Sequence, residues 1–279
     1  MRRKRTKHGT SGRDRSGQAD RAAAERIALR RPVDSWLWHG RQWAPLLAAG
    51  LIALATAAAF SNSLSGPFIF DDEGAILENP TIRQLWPFST ALCPPNNGEP
   101  VTGRPLLNVS LAVNYAISKL DVWSYHATNL AIHLLGSLLL FGILRRTFLL
   151  PAMREQWGVA ATRLAFVIAL FWAIHPLQTE SVTYISQRAE SLVGLFYLLT
   201  LYCFIRGVDA ARAIGWHTGA VLACLLGMAS KEVMVSAPLI VLLYDRTFLA
   251  GSFREAWRRR GGFYVALAAT WLLLGWLVI

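Results

Sequence analysis

The chain has 279 residues, of which 54% are apolar and 16% charged, and its mean hydropathy is positive. Soluble domains carry about 25% charged residues, so an ordinary soluble fold is excluded, and the length divides better into membrane crossings of about 20 residues each. The net charge of +11 would suggest a nucleic-acid partner in a soluble protein, and the distribution of that charge removes the suggestion.

Twelve of the 28 Lys and Arg residues lie between Arg2 and Arg41. Residues 1–42 hold little that could form a core and read as a solvated, disordered basic tail on the cytoplasmic side. No aromatic residue precedes Trp36, which argues against a nucleic-acid arm. A twin-arginine export signal at Arg2-Arg3 is disfavoured because the first apolar run begins some forty residues later.

Residues 43–279 read as one all-α transmembrane domain with about seven crossings. The apolar runs are Ala44–Phe60, Leu130–Leu144, Leu164–Ile174, Ser191–Ile205, Ala213–Ala229, Val233–Tyr244 and Gly262–Ile279. Alternating sides from a cytoplasmic N-terminus puts 23 basic residues inside and leaves five outside, namely Arg83, Arg104, Lys119, Arg188 and Lys231. The acidic residues divide eight inside and nine outside, for a net charge of +15 (23−8) against −4 (5−9). This is the asymmetry that the positive-inside rule demands.

Some crossings are short. Between Arg212 and Asp245 lie 32 residues, which must make two crossings and a turn, and sixteen residues cover only about 24 Å of a ~30 Å hydrocarbon core. The turn at Lys231-Glu232 is therefore expected to be recessed, as are His175, Gln178 and Glu180 beyond the eleven-residue run after Arg163. A charge at bilayer depth costs roughly 2.5–3.5 kcal/mol unless it faces a wet cavity or a partner, so an outward-facing polar cavity is expected.

Residues 61–125 form the one long outer loop, and connections of that length carry function or structure of their own. A strand-like Phe68-Ile69-Phe70 leads into Asp71-Asp72-Glu73. Adjacent carboxylates raise one another's pKa unless a cation answers them, whereas the bland alternative is a solvated acidic turn. From Pro105 to Leu120 the pattern is helical, with proline at the first position. Ser110, Asn114, Ser118 and Asp121 line one face, and Leu106, Val109, Val113, Ile117 and Leu120 line another, as in a helix lying along the outer interface. Asn108-Val109-Ser110 matches a glycosylation sequon, to which its helical setting gives little weight. His126, Asn129 and His133 share a helix face, where hydrogen bonds between helices are the commoner use and a metal the rarer one. Three cysteines, one in the loop and two in crossings, allow no disulfide framework within the chain.

With these residues in view, the chain resembles the bacterial relatives of the transmembrane and tetratricopeptide-repeat O-mannosyltransferases, which are polyprenyl-phosphate-sugar glycosyltransferases of the GT-C class. The resemblance rests on FIFDDEGAILENP at 68–80, GRPLLNVSLAVNYAISKLDVWSYHATNLAIHLL at 103–135, HPLQTESVTYISQRAESLVGLFYLLTLYCFIR at 175–206 and LLGMASKEVMVSAPLIVLLYDRTFL at 225–249. It implies a GT-C-like N-terminal half that moves a mannose-like sugar from a polyprenyl-phosphate donor to a Ser or Thr hydroxyl of an exported protein. The reaction would be inverting and sit on the outer face of a bacterial inner membrane. Asp71 or Asp72 would act as general base. Arg104, Arg188 and Lys231 would hold the lipid phosphate. His126, Asn129, His175, Glu180, Glu190 and Glu232 would support the site or bind the acceptor. A divalent metal beside the acidic pair is left open, and no other cofactor is implied. Full members of the family are longer and end in repeats, so the chain is expected to correspond to their N-terminal part. Two other readings stand beside this one. The first is a non-catalytic membrane anchor or assembly subunit. The second is a transporter, which is disfavoured because the ionisable residues cluster at helix ends rather than at the midplane.

Overall fold

A computed structural model describes residues 36–278, and the expected tail up to residue 35 lies outside the described residues. The chain divides into Met1–Leu46 and Leu47–Ile279. Of the first unit only the opening of one helix is described, and the second unit holds the rest of the fold.

Among the described residues eleven α-helices succeed one another, with short 3-10 or π turns between some of them: α1 (Trp36–Ala59), α2 (Phe88–Leu92), α3 (Pro105–Ser118), α4 (Trp123–Leu149), α5 (Pro151–Trp157), α6 (Ala161–Ala173), α7 (Gln178–Thr183), α8 (Arg188–Val208), α9 (Ala213–Met228), α10 (Ala237–Asp245) and α11 (Phe253–Val278). Among the described residues there is no strand. Phe68-Ile69-Phe70 is therefore not a strand, because it has no neighbour to pair with; Phe70 adopts φ 46° and turns the chain sharply into Asp71.

Each of the seven apolar runs is mainly helical over its described residues, but seven crossings is a miscount. Among the described residues four stretches are long and apolar enough to cross a membrane: Trp123–Leu149, Arg188–Val208, Glu232–Ala250 and Phe253–Leu277. A fifth is reached only if α5 and α6, bent by 94° across a short break, count as one span. The reason is length. The sixteen residues of α9 rise about 24 Å and the thirteen of α6 about 20 Å, both short of the hydrocarbon core. The apolar part of α1, Trp43–Ala59, is in the same position.

Helix α4 packs against both α6 and α8, and α9 packs against α8 and α11. The contact of α6 with α4 follows from its sequence. Ala161, Ala165, Ala169 and Ala173 recur every four residues and are all buried, while Val167 and Phe171 on the other side are exposed. Small residues in a stripe let two helix backbones approach closely where lipid offers no hydrophobic drive.

The loop between α1 and α4 is a packed cap. Ala75, Ile76, Ile82, Ala91, Val101, Leu107 and Leu111 form one core with Tyr125 and Ile185. Helix α3 forms as its proline start and period imply, and the face it buries is mixed, with Leu107, Leu111 and Ala112 beside its asparagines. Asn108 and Asn114 are buried, whereas Val113, Ile117 and Leu120 are exposed. The two buried amides need partners there, since an unpaired polar group in the interior is costly.

Candidate functional site

The site is organised by residues 184–188, which lead from α7 into α8. The backbone N–H of Ser186 donates to Oδ1 of Asp72 at 2.8 Å, and the N–H of Ile69 donates to Oδ2 at 3.1 Å. Two residues earlier, the hydroxyl of Tyr184 accepts the N–H of Asp71 at 2.9 Å, and its ring meets Phe70 edge-on at 6.5 Å. The acidic turn is thus held from one side by a segment more than a hundred residues away. Phe70 needs that hold: a bulky residue at positive φ stores on the order of 1–3 kcal/mol and persists only where its surroundings over-determine it.

The two aspartates have different situations. Asp72 is buried and both of its oxygens are engaged. Burial pushes its carboxyl above the ordinary carboxylate range, against the two backbone donors and the charge of nearby His126, which favour the ionised form. Asp71 is exposed, with its carboxylate available to a ligand. The expected general-base pair therefore resolves into one presented carboxylate and one that shapes the turn.

Arg188 is fully buried. Its Nε donates to Oδ1 of Asn129 at 2.6 Å, its Nη1 to Oδ1 of Asn114 at 2.6 Å and to Oγ of Ser110 at 3.2 Å, and its Nη2 to the carbonyl of Tyr125 at 2.9 Å. This is where the polar face of α3 points. The guanidinium is enclosed by neutral acceptors from α3 and α4 and is not presented to a ligand.

The other expected phosphate ligands sit together in a second cluster. Lys231 bonds Glu190 on the first turn of α8, and Nη2 of Arg104 reaches Glu232 at 3.4 Å. The N–H of Leu106 donates to the carbonyl of Ala229 at 3.1 Å, which fastens the start of α3 to the turn before Lys231. Both pairs are partly exposed, so competing water and ligand can reach them.

The remaining expected residues are scattered. Nε2 of His126 donates to the carbonyl of Gly66 at 3.0 Å, and Nε2 of His133 to that of Ala173 at 2.8 Å. Nδ1 of His126 and Oγ of Ser186 are buried with no hydrogen-bond partner. Nδ1 of His175 accepts the N–H of Leu177 at 3.2 Å, and Glu180 is exposed. Among the described residues no three of His, Cys, Asp and Glu converge as a metal set would. Asp72 has no two further His, Cys, Asp or Glu side chains converging on it, so the described residues do not make up a metal's donor set. Tyr184 and Ser186 are the functional residues that sequence reasoning passed over, although both lie inside the stretch 175–206 that carries part of the resemblance.

Beside the acidic turn lies a cleft of about 370 Å³ lined by Gly74, Glu78, Asn79, Thr81, Asn97 and Glu99 among others. Its amides and carboxylates suit hydroxyl-bearing ligands.

No family model matches the chain, and no solved structure matches it. Curated relatives do. The chain is 30% identical over 201 residues to the protein O-mannosyl-transferase TMTC2 of Mus musculus, covering 67% of this chain and 22% of that protein. It is 31% identical over 204 residues to TMTC1 of Mus musculus, covering 70% and 20%. It is 28% identical over 216 residues to Tmtc3 of Drosophila melanogaster, covering 70% and 23%. The chain thus spans about a fifth of the length of the curated relatives it matches.

Proposed function

We propose that this chain, a relative of the TMTC protein O-mannosyl-transferases, carries the acceptor-activating part of a membrane glycosyltransferase of the GT-C class. The enzyme would move a mannose-like sugar from a polyprenyl-phosphate donor to a Ser or Thr hydroxyl of an exported protein. A donor with an insoluble tail and a charged head requires a site at a membrane interface, and the acidic turn, Arg104 and Lys231 would form it. The face opposite the basic helix ends would be the outer one.

The observation that carries this reading is Asp71: an exposed carboxylate on a strained turn, tied at its N–H to Tyr184 and flanked by the locked Asp72. In an inverting transfer Asp71 accepts the proton of the attacking hydroxyl, the new bond forms at the anomeric carbon, and the lipid phosphate leaves with the electron pair of the broken bond. Lys231 and Arg104, partly exposed and able to exchange Glu190 and Glu232 for phosphate oxygens, neutralise that leaving group. Arg188 serves as a positioning residue that fixes α3 and α4 around the turn. No step is assigned to a metal.

The test is Asp71→Asn in the complete protein, assayed for sugar transfer from a polyprenyl-phosphate donor to an acceptor peptide. Loss of a general base lowers the rate by about 10²–10⁴, with membrane insertion intact; unchanged transfer rejects the assignment. One observation favours the alternative of a non-catalytic anchor: Arg104, Lys231 and Arg188 are each already partnered within the chain. Wild-type protein that inserts and folds but transfers no sugar from any polyprenyl-phosphate donor would decide for that alternative.

A further inference from the structure

Far along the chain from the acidic turn, the run Arg258-Arg259-Arg260 is divided by a break in helix geometry. Arg260 has φ −138° and ψ 25° within α11, which separates residues 253–259 from the apolar remainder of the helix. The break is pinned from outside. Nη1 of Arg260 donates to both oxygens of the buried Asp245, at 2.8 and 2.9 Å, and the hydroxyl of Tyr264 donates to the same carboxylate. Arg260 is thereby neutralised and held against the protein, with Phe204 beneath it.

The arginines around the break are disposed differently. Arg246, Arg254, Arg258 and Arg259 are all exposed. Arg258 and Arg259 share the single carboxylate of Glu255, which leaves the patch three positive charges in excess. Ser252, Arg254, Glu255 and Arg258 line a shallow cleft of about 350 Å³, in which Glu255 is already engaged by Arg258 and Arg259. Between the cations stand two large apolar side chains one helical turn apart, Phe253 at 50% and Trp257 at 55% exposure, and Arg246 lies over the Phe253 ring. Only Ala256 of the segment is buried. Exposed aromatics interleaved with arginines, at the start of the stretch Phe253–Leu277 that is long and apolar enough to span, match the chemistry of the headgroup layer, where the rings sit among glycerol esters and each cation attracts anionic lipid.

We propose that residues 253–259, with Arg246, are a binding surface for anionic phospholipid: Phe253 and Trp257 enter the interface, and Arg254, Arg258 and Arg259 take the phosphates of two or more headgroups. Arg260 and Asp245 hold the segment at the angle that presents it. Charge complementarity selects the occupant, since the patch has no carboxylate left to satisfy it. The surface is independent of the sugar-transfer reading and would exist in a catalytically silent chain as well.

The test uses the purified protein in neutral detergent, with lipid retention read by native mass spectrometry and thermal unfolding read in parallel. Phosphatidylglycerol should be retained and should raise the unfolding temperature, and phosphatidylcholine should do neither. Arg254→Gln/Arg258→Gln/Arg259→Gln should weaken phosphatidylglycerol retention at least about tenfold, or ~1.4 kcal/mol. Lys at the same three positions should preserve it, which separates lost charge from lost folding. Equal retention of both lipids by the wild type, or undiminished phosphatidylglycerol retention by the glutamine variant, overturns the proposal. Inorganic phosphate at millimolar concentration that reproduces the thermal shift also overturns it, because the site would then be one for a free anion.

Discussion

The backbone N–H of Ser186 donates to Oδ1 of Asp72 at 2.8 Å across 114 positions of the chain. That bond ties the loop between α1 and α4 to the segment entering α8, and it holds in place a buried carboxyl that is easier to protonate than a free one. In the unfolded chain the group releases its proton near pH 3.8, whereas in the folded chain it holds the proton to higher pH. Its contribution to stability is therefore full below pH 3.8 and falls away as pH rises through the raised folded value. Asp72→Asn should remove that slope from a plot of unfolding free energy against pH. It should also quicken hydrogen exchange at the Ile69 and Ser186 amides, since an amide side chain supplies only one acceptor oxygen for two donors. An unchanged pH slope in the variant would show that Asp72 is not the group responsible.

Arg188 separates a structural from a ligand-binding role. Its four hydrogen bonds reach α3 and α4 and engage all three of its nitrogens. Arg188→Lys keeps the charge but cannot reproduce the fork, so acceptors on Asn129, Asn114 and Tyr125 lose donors in a buried place. We expect a loss of about 3 kcal/mol and early proteolysis within residues 61–122, measured by thermal unfolding in detergent and limited digestion. A variant with wild-type stability that loses only donor affinity would return Arg188 to the phosphate site.

How much of this was legible depends on the range of each interaction. Helices, their apolar runs and the proline start of α3 are local properties, and the sequence displays them. The shortness of α6 and α9 was also legible as residue counts between charges, yet counting apolar runs as crossings overstated their number. Asp71 and Asp72 stood out as carboxylates beside a bilayer, and Lys231, Glu190, Arg104 and Glu232 as outer charges. What sequence could not display was pairing at long range: that Glu190 answers Lys231, that Ser110 and Asn114 of α3 meet Arg188 in the interior, and that Tyr184 and Ser186 grip the acidic turn through a hydroxyl and a backbone N–H. A backbone donor has no side-chain signature at all.

The pair Lys231 with Glu190 and the pair Arg104 with Glu232 should contribute little to folding and more to ligand binding. Their carboxylates are 41% and 57% exposed, and ion pairs open to solvent are worth about 0–1 kcal/mol. Glu232→Gln should thus leave the unfolding temperature nearly unchanged. Lys231→Met should raise the KM for a polyprenyl-phosphate donor and lower kcat, with the effect of each change weakening as salt is added. A large stability loss in either variant, with donor kinetics unaltered, would mark the cluster as architecture alone.

Asn108 presents a last case in which a motif and its surroundings disagree. Asn108-Val109-Ser110 has the form of a glycosylation acceptor, but Asn108 is fully buried. Its Nδ2 donates to Oγ1 of Thr81 at 2.8 Å and to the carbonyl of Ala91 at 2.9 Å, while its Oδ1 accepts from Nδ2 of Asn79 at 2.8 Å. A glycan on that nitrogen would have to displace Thr81 and Ala91 and open the cap. Expression in a glycosylating host should therefore leave the folded chain without a glycan at this position, and treatment with a glycosidase should not alter its mobility. Asn108→Ala should cost about 2 kcal/mol, because it takes partners from the Asn79 amide and the Ala91 carbonyl in the interior. Asn108→Asp, which restores the acceptor and not the donors, should recover only part of that loss. Full occupancy of the sequon in a folded, protease-resistant chain would contradict the buried amide network on which the shape of the cap depends.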